Sequence, residues 1–70
     1  MKIKANDYEA KDIIKFIRES TELTQEEFGK SINKSLRTIQ DYESGRRRYN
    51  IETLLDIAKK HNLIITIEKK

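Results

Sequence analysis

Cysteine and proline are both missing from this chain of 70 residues, and only two glycines and one histidine occur. Without cysteine there can be no disulfide and no thiolate metal site, and nothing points to an oxidising compartment. Without proline, and with so little glycine, the breaks between elements must come from Asn, Ser and Thr. Long apolar runs are missing as well. No stretch approaches the roughly 18 residues of a membrane span, and the amino terminus has no signal-peptide core, so a cytoplasmic location is expected.

The usual catalytic sets are also lacking. His61 is the single histidine, and there is neither a Gly-rich phosphate loop nor a nucleophile elbow. The acidic residues Glu19, Glu22, Glu26 and Glu27 read as helix-surface and capping groups. His61 stands at a helix end, where a ring near the C-terminal dipole needs no ligand to explain it. No enzyme activity, no metal and no cofactor is expected.

What is present is charge. Fifteen basic and 12 acidic residues give a net charge of +3 and a pI near 9.3. A chain this mixed is not a lysine-coated nucleic-acid binder, so the placement of charge matters more than its total. Basic residues gather at 46–48 and at both termini. The length allows one domain (1–70), and a domain of this size buries only about 60% of the surface its unfolded chain exposes. Its core is marginal, and an oligomer contact would add to it.

Hydrophobic periodicity predicts four helices. Ala10, Ile13, Ile14 and Ile17 lie on one face of the first, with Asp7 as candidate N-cap and Glu9 in the first turn. Thr24 opens the second with Glu27 three residues on, the spacing of a capping box, and Phe28 and Ile32 face inward. Gly29 lies mid-helix at a cost of about 1 kcal/mol relative to alanine, which implies that another helix passes close over it. Asn33 tolerates the left-handed backbone that ends a helix. Only Lys34 separates it from Ser35, the N-cap of a third helix in which Ile39 and Tyr42 face the core and Leu36 is partly buried. A link so short forces a steep crossing, as in a helix-turn-helix. After a loop, Asn50 caps a fourth helix with an apolar stripe of Ile51, Leu54, Leu55 and Ala58, and Asn62 closes it. The core so defined spans residues 7–62. The tail at 63–68 is β-branched and alternating, which reads as a short C-terminal strand.

The stretch "KSLRTIQDYESGRRR" (34–48) sets Arg37, Gln40 and Asp41 on the outer face of the third helix and follows it with three arginines. Together with Leu23-Thr24-Gln25-Glu26-Glu27, Gly29, Ser35, Ile39, Tyr42-Glu43-Ser44-Gly45, Glu52-Thr53-Leu54-Leu55 and Ile57-Ala58, it resembles the phage repressor and Cro-like (XRE) helix-turn-helix family over residues 13–62. The sequence departs from that pattern twice. Asn33 stands where the family usually has glycine, and Tyr49 where its loop usually has proline. The resemblance implies a mainly α, four-helix, lambda-repressor-like domain that binds double-stranded DNA as a transcriptional regulator. It also implies an ion pair between Arg18, late in the first helix, and Glu43, ending the third.

In such a fold the third helix enters the major groove, and residues near its amino end reach base edges. Those are Ser35, Leu36, Arg37, Gln40 and Asp41. Arg37 suits guanine, Gln40 adenine and Leu36 a thymine methyl. Asp41 has two readings: it accepts a bond from cytosine, or it orients Arg37. Thr24 and Gln25 at a helix amino end, and Ser44, Arg46, Arg47 and Arg48 at the far end of the groove helix, are the expected phosphate contacts. The setting is a phage or mobile-element repressor, or an antitoxin that represses its own operon. The rival is a protein-binding module, such as an inhibitor or antitoxin that masks a toxin or another protein.

The tail raises a separate expectation. A lone strand leaves backbone groups unpaired. Its partner is either "MKIKA" at 1–5, which also alternates, or the same tail of a second subunit about a two-fold axis. The expectation is a homodimer joined through Leu63, Ile64, Ile65, Thr66 and Ile67, on a near-palindromic operator.

Overall fold

The computed structural model describes residues 2–69, and in these the chain forms a 3-10 turn and four helices. They are α1 (Ala10–Thr21), α2 (Gln25–Ser31), α3 (Leu36–Ser44) and α4 (Ile51–Lys60). Local chemistry sets most of their ends. Thr24 Oγ1 accepts the Glu27 N–H while the Glu27 carboxylate accepts the Thr24 N–H, which completes the capping box of α2. Ser35 and Asn50 cap α3 and α4 through the N–H groups of Thr38 and Thr53.

Two C-termini close in the same way. Asn33 and Asn62 have φ of 58° and 55°. The residue after each donates back to a carbonyl five positions earlier, Lys34 to Gly29 and Leu63 to Ala58, both at 2.8 Å. This is the Schellman arrangement, which satisfies carbonyls that the helix itself leaves free.

The start of α1 differs from the expectation. Asp7 is not its N-cap. It belongs to the 3-10 turn Ala5–Asp7, closed by the bond from the Tyr8 N–H to Ala5 O, and Tyr8 and Glu9 are then extended. The helix therefore begins at Ala10, with Glu9 as an N-cap whose side chain makes no capping bond.

Ile14, Phe28, Ile39, Tyr42 and Ile57 form the buried core, and Ile17, Leu23, Ile32, Tyr49 and Leu63 pack around it. α3 is the central element, packing on both α1 and α2. The apolar stripe of α4 needs correction. Ile57 and Ala58 are buried and Leu54 is half-buried, while Ile51 and Leu55 are exposed. At 100° per residue, 54, 57, 58 and 61 share one face, and 51 and 55 fall on its flank. His61 completes that face. Its ring stacks on Phe28 at 5.4 Å between centroids, and Nε2 lies 2.9 Å from Ser31 Oγ. Ser31 already donates its only proton to Phe28 O, so Nε2–H is the donor to Ser31. Leu36, expected to be partly buried, is exposed.

The C-terminal strand is not formed within the single chain. Residues 63–69 carry no regular secondary structure, and the described residues contain no strand. A strand needs a ladder partner. The amino-terminal segment does not supply one, since Ala5 enters the 3-10 turn; Met1 of that proposed partner lies outside the described residues. Leu63 instead closes α4 and packs on the core, and Ile64 and Ile67 beyond it are each 92% exposed.

Candidate nucleic-acid interface

The turn between α2 and α3 aims the third helix. A Cβ built on Gly29 would sit 2.6 Å from Lys34 O and 3.1 Å from Ile39 Cγ1. The absence of that carbon lets the turn fold back onto α2 and lets α3 seat Ile39 directly against it. With Ile39 and Tyr42 held inward, the opposite face of α3 has to point out. Leu36, Arg37, Gln40 and Ser44 are exposed along it, with Ser35 at its start, and Asp41 is half-buried. Ser35 has a structural duty besides, since Oγ accepts the Thr38 N–H and lies 2.9 Å from Thr38 Oγ1.

Asp41 gathers the charge at this face. Its Oδ1 accepts from Arg37 Nε at 3.3 Å and stands 3.9 Å from Arg46 Nη1. Its backbone carbonyl accepts from Ser44 Oγ and from the Arg47 N–H. Gly45, at φ 82°, makes the reversal that brings the arginine run back beside the helix. Arg46, Arg47 and Arg48 are exposed just past the C-terminus of α3, where the helix dipole favours positive charge.

Beneath the face lies the Arg18–Glu43 pair. Nε and Nη2 of Arg18 donate to the two Glu43 oxygens at 2.7 and 3.1 Å, and Nη1 donates to Leu23 O at 3.1 Å. Gln25 Nε2 adds a fourth bond, to Glu43 Oε1 at 3.2 Å. The carboxylate thus joins α1, α2 and α3, and Arg18 ties in the following loop through Leu23 O. The hydrogen bond to Glu43 raises the Arg18 pKa, against the smaller opposing effect of burial. Lys15, Arg18, Gln25, Gln40, Glu43 and Ser44 line a shallow groove of about 440 Å³ along this seam.

The groove brings Gln25, of the amino end of α2, together with Gln40 and Ser44 of α3. Thr24 is largely committed to its own helix, its N–H to Glu27 and its hydroxyl to the Glu27 N–H. The N–H groups of Gln25 and Glu26, in the first turn, have no partner inside the helix. The same capping bond from the Thr24 N–H holds the Glu27 carboxyl below the usual glutamate pKa.

Two contributors escape the short-range sequence patterns, Lys15 at this seam and Tyr49 in the loop after α3. Lys15 lies beside Gln25 and Ser44, and its position one helical turn before Arg18 was the available signal. Tyr49, where the family pattern has proline, anchors the loop instead. Its hydroxyl donates to Ala10 O, and its ring meets Tyr42 edge-on at 5.5 Å. Burial pushes its phenol pKa up. Nothing short-range foretells a contact that spans 39 positions.

The Helix-turn-helix family model matches residues 14–63, well over half of the chain. The chain therefore belongs to that family, the XRE-type helix-turn-helix proteins, and is a DNA-binding transcription regulator. No curated protein and no solved structure gives a significant match. Among the described residues no group of acidic, histidine or cysteine side chains is placed to hold a metal ion, and no helix is long and apolar enough to cross a membrane.

Proposed function

We propose that this chain is a sequence-specific repressor that reads double-stranded DNA with the outer face of α3, as a homodimer on a near-palindromic operator. The operon is that of a phage, a mobile element or a toxin–antitoxin pair. Arg37, Gln40, Leu36 and Ser35 meet base edges, and Asp41 stands beside them, either accepting from cytosine or orienting Arg37. Thr24, Gln25, Ser44, Arg46, Arg47 and Arg48 meet phosphates on either side, and Arg18 with Glu43 holds the helices at the right angle. The observation that carries the reading is the outward face of α3, with exposed Leu36, Arg37 and Gln40 flanked by the arginine run. An exposed face of this composition, on a helix whose other side is fixed by Ile39 and Tyr42, suits a groove reader.

The dimer is supported by apolar exposure. Ile51 and Leu55 on α4 and Ile64 and Ile67 in the tail all face solvent in the single chain. A second copy could pair the tail as a strand and cover those side chains.

Selection of duplexes from a random pool, followed by titration at several salt concentrations, tests the proposal. The expected result is one enriched, near-palindromic sequence and a steep fall of affinity with salt. Failure to enrich any sequence, with a salt slope near zero, would leave the protein-binding alternative standing.

A further inference from the structure

Asp41 is an acid set among groups that suit DNA. Its side chain is 19% exposed, whereas those of Arg37 and Arg46 are 71% and 68% exposed. The two arginines share the same oxygen, Arg37 from one turn back along α3 at 3.3 Å and Arg46 from beyond the Gly45 reversal at 3.9 Å. The carboxylate is sheltered and the guanidinium groups extend outward from it.

The atom used on Arg37 matters. Asp41 takes Nε, which leaves the terminal Nη1 and Nη2 groups at the outer tip. Guanine offers O6 and N7 in the major groove, and two parallel N–H donors satisfy both. A side chain held at Nε keeps that fork pointing in one direction and has less rotamer freedom to lose on binding. The same carboxylate repels phosphate, so it also disfavours any docking in which Arg37 finds no guanine.

We propose that Asp41 is a positioning residue for base reading: it braces Arg37 through Nε and holds Arg46 beside α3 until a phosphate competes for it. This rests on the DNA-reading proposal above. Asp41 sets sequence preference through Arg37 and makes no base contact of its own.

The test uses Asp41→Asn, Asp41→Glu, Arg37→Ala and the Asp41→Asn/Arg37→Ala double variant in the full chain, on the selected duplex and on random duplex. Asp41→Asn is expected to lower the specific-to-random affinity ratio about tenfold, within the worth of one bidentate contact. Affinity for random duplex should rise, because the carboxylate no longer repels phosphate or competes for Arg46. Asp41→Glu keeps a carboxylate four residues from Arg37 and should restore most of the ratio. In the Arg37→Ala background, Asp41→Asn should change preference at no base pair. A purely structural role would weaken both duplexes together and leave the ratio as it was. An unchanged ratio, or a shifted base preference in the Arg37→Ala background, overturns the proposal.

NMR relaxation at the arginine Nε–H groups of the free protein separates this inference from the reading beneath it. Arg37 Nε should be more ordered than Arg48 Nε, and Asp41→Asn should abolish the difference. Equal mobility in the unaltered protein overturns the brace whatever the DNA result. An ordered Arg37 in a protein that prefers no duplex overturns the DNA-reading proposal, and the brace's role in reading with it.

Discussion

Arg18 and Glu43, 25 positions apart, meet through two parallel hydrogen bonds of 2.7 and 3.1 Å, with side chains only 16% and 5% exposed. The planar fork of arginine matches the two carboxylate oxygens, and the remaining Nη1 and the Gln25 amide supply the rest of the network. Removing either partner strands a poorly solvated charge. Arg18→Ala or Glu43→Ala should therefore cost about 3 kcal/mol, against less than about 0.5 kcal/mol for the exposed Arg47→Ala. Chemical denaturation of the three variants measures this. Arg18→Lys should recover little, since an ammonium cannot span both oxygens.

Gly29→Ala separates helix propensity from packing. Alanine is the better helix former by about 1 kcal/mol, but its Cβ would meet the backbone carbonyl of Lys34 at 2.6 Å. Backbone cannot swing aside as a flexible side chain can. The expected outcome is a net loss of about 1–3 kcal/mol, read from the denaturation midpoint. A gain in stability would mean that the turn gives way freely.

These two sites show which parts of the fold were legible in the sequence. Thr24 with Glu27, Ser35, Asn50, Asn33 and Asn62 mark helix ends through contacts within a few residues, and short-range patterns capture such contacts. Gly29 was legible because a mid-helix glycine implies a close neighbour. The outward face of α3 followed from Ile39 and Tyr42 alone.

Other features depended on distant partners. The choice of Ile57 over Ile51 and Leu55 for the core is made by what α4 packs against. The Tyr49 hydroxyl on Ala10, the His61 ring on Phe28 and the Gln25 amide on Glu43 join residues 39, 33 and 18 positions apart. The tail at 63–69 has strand-forming residues, but propensity without a ladder partner makes no strand. Asp7 reads as a cap, yet a competing 3-10 turn takes it first.

The capping box of α2 carries a pH signature. The Glu27 pKa is lowered in the folded chain, so its contribution to stability is full above the ordinary glutamate value and is lost as pH falls through the lowered one. The difference in midpoint between the unaltered protein and Glu27→Ala should be constant near neutrality and should shrink below about pH 4. A difference that stays constant to the lowest pH would mean that the charged form of Glu27 has no part in the cap.

The proposed dimer can be tested without disturbing the core. Leu63 packs on it, but Ile64 and Ile67 do not share that duty. Ile64→Lys with Ile67→Lys should shift sedimentation from dimer toward monomer, with helix content and thermal midpoint of the monomer unchanged. A chain that is monomeric far above its DNA-binding concentration, or a doubly substituted chain that dimerises as before, would remove the tail from the interface.

The central claim is that α3 reads bases and the arginine run does not. The ratio of affinities for selected and random duplex, measured for Arg37→Ala and for Arg46→Ala, tests it most directly. Arg37→Ala should lose about 1–3 kcal/mol on the selected duplex and relax preference at one base pair, so its ratio falls. Arg46→Ala should weaken both duplexes alike and flatten the salt slope by about one unit, so its ratio holds. An unchanged ratio in Arg37→Ala would contradict the assignment of α3 as the reading helix.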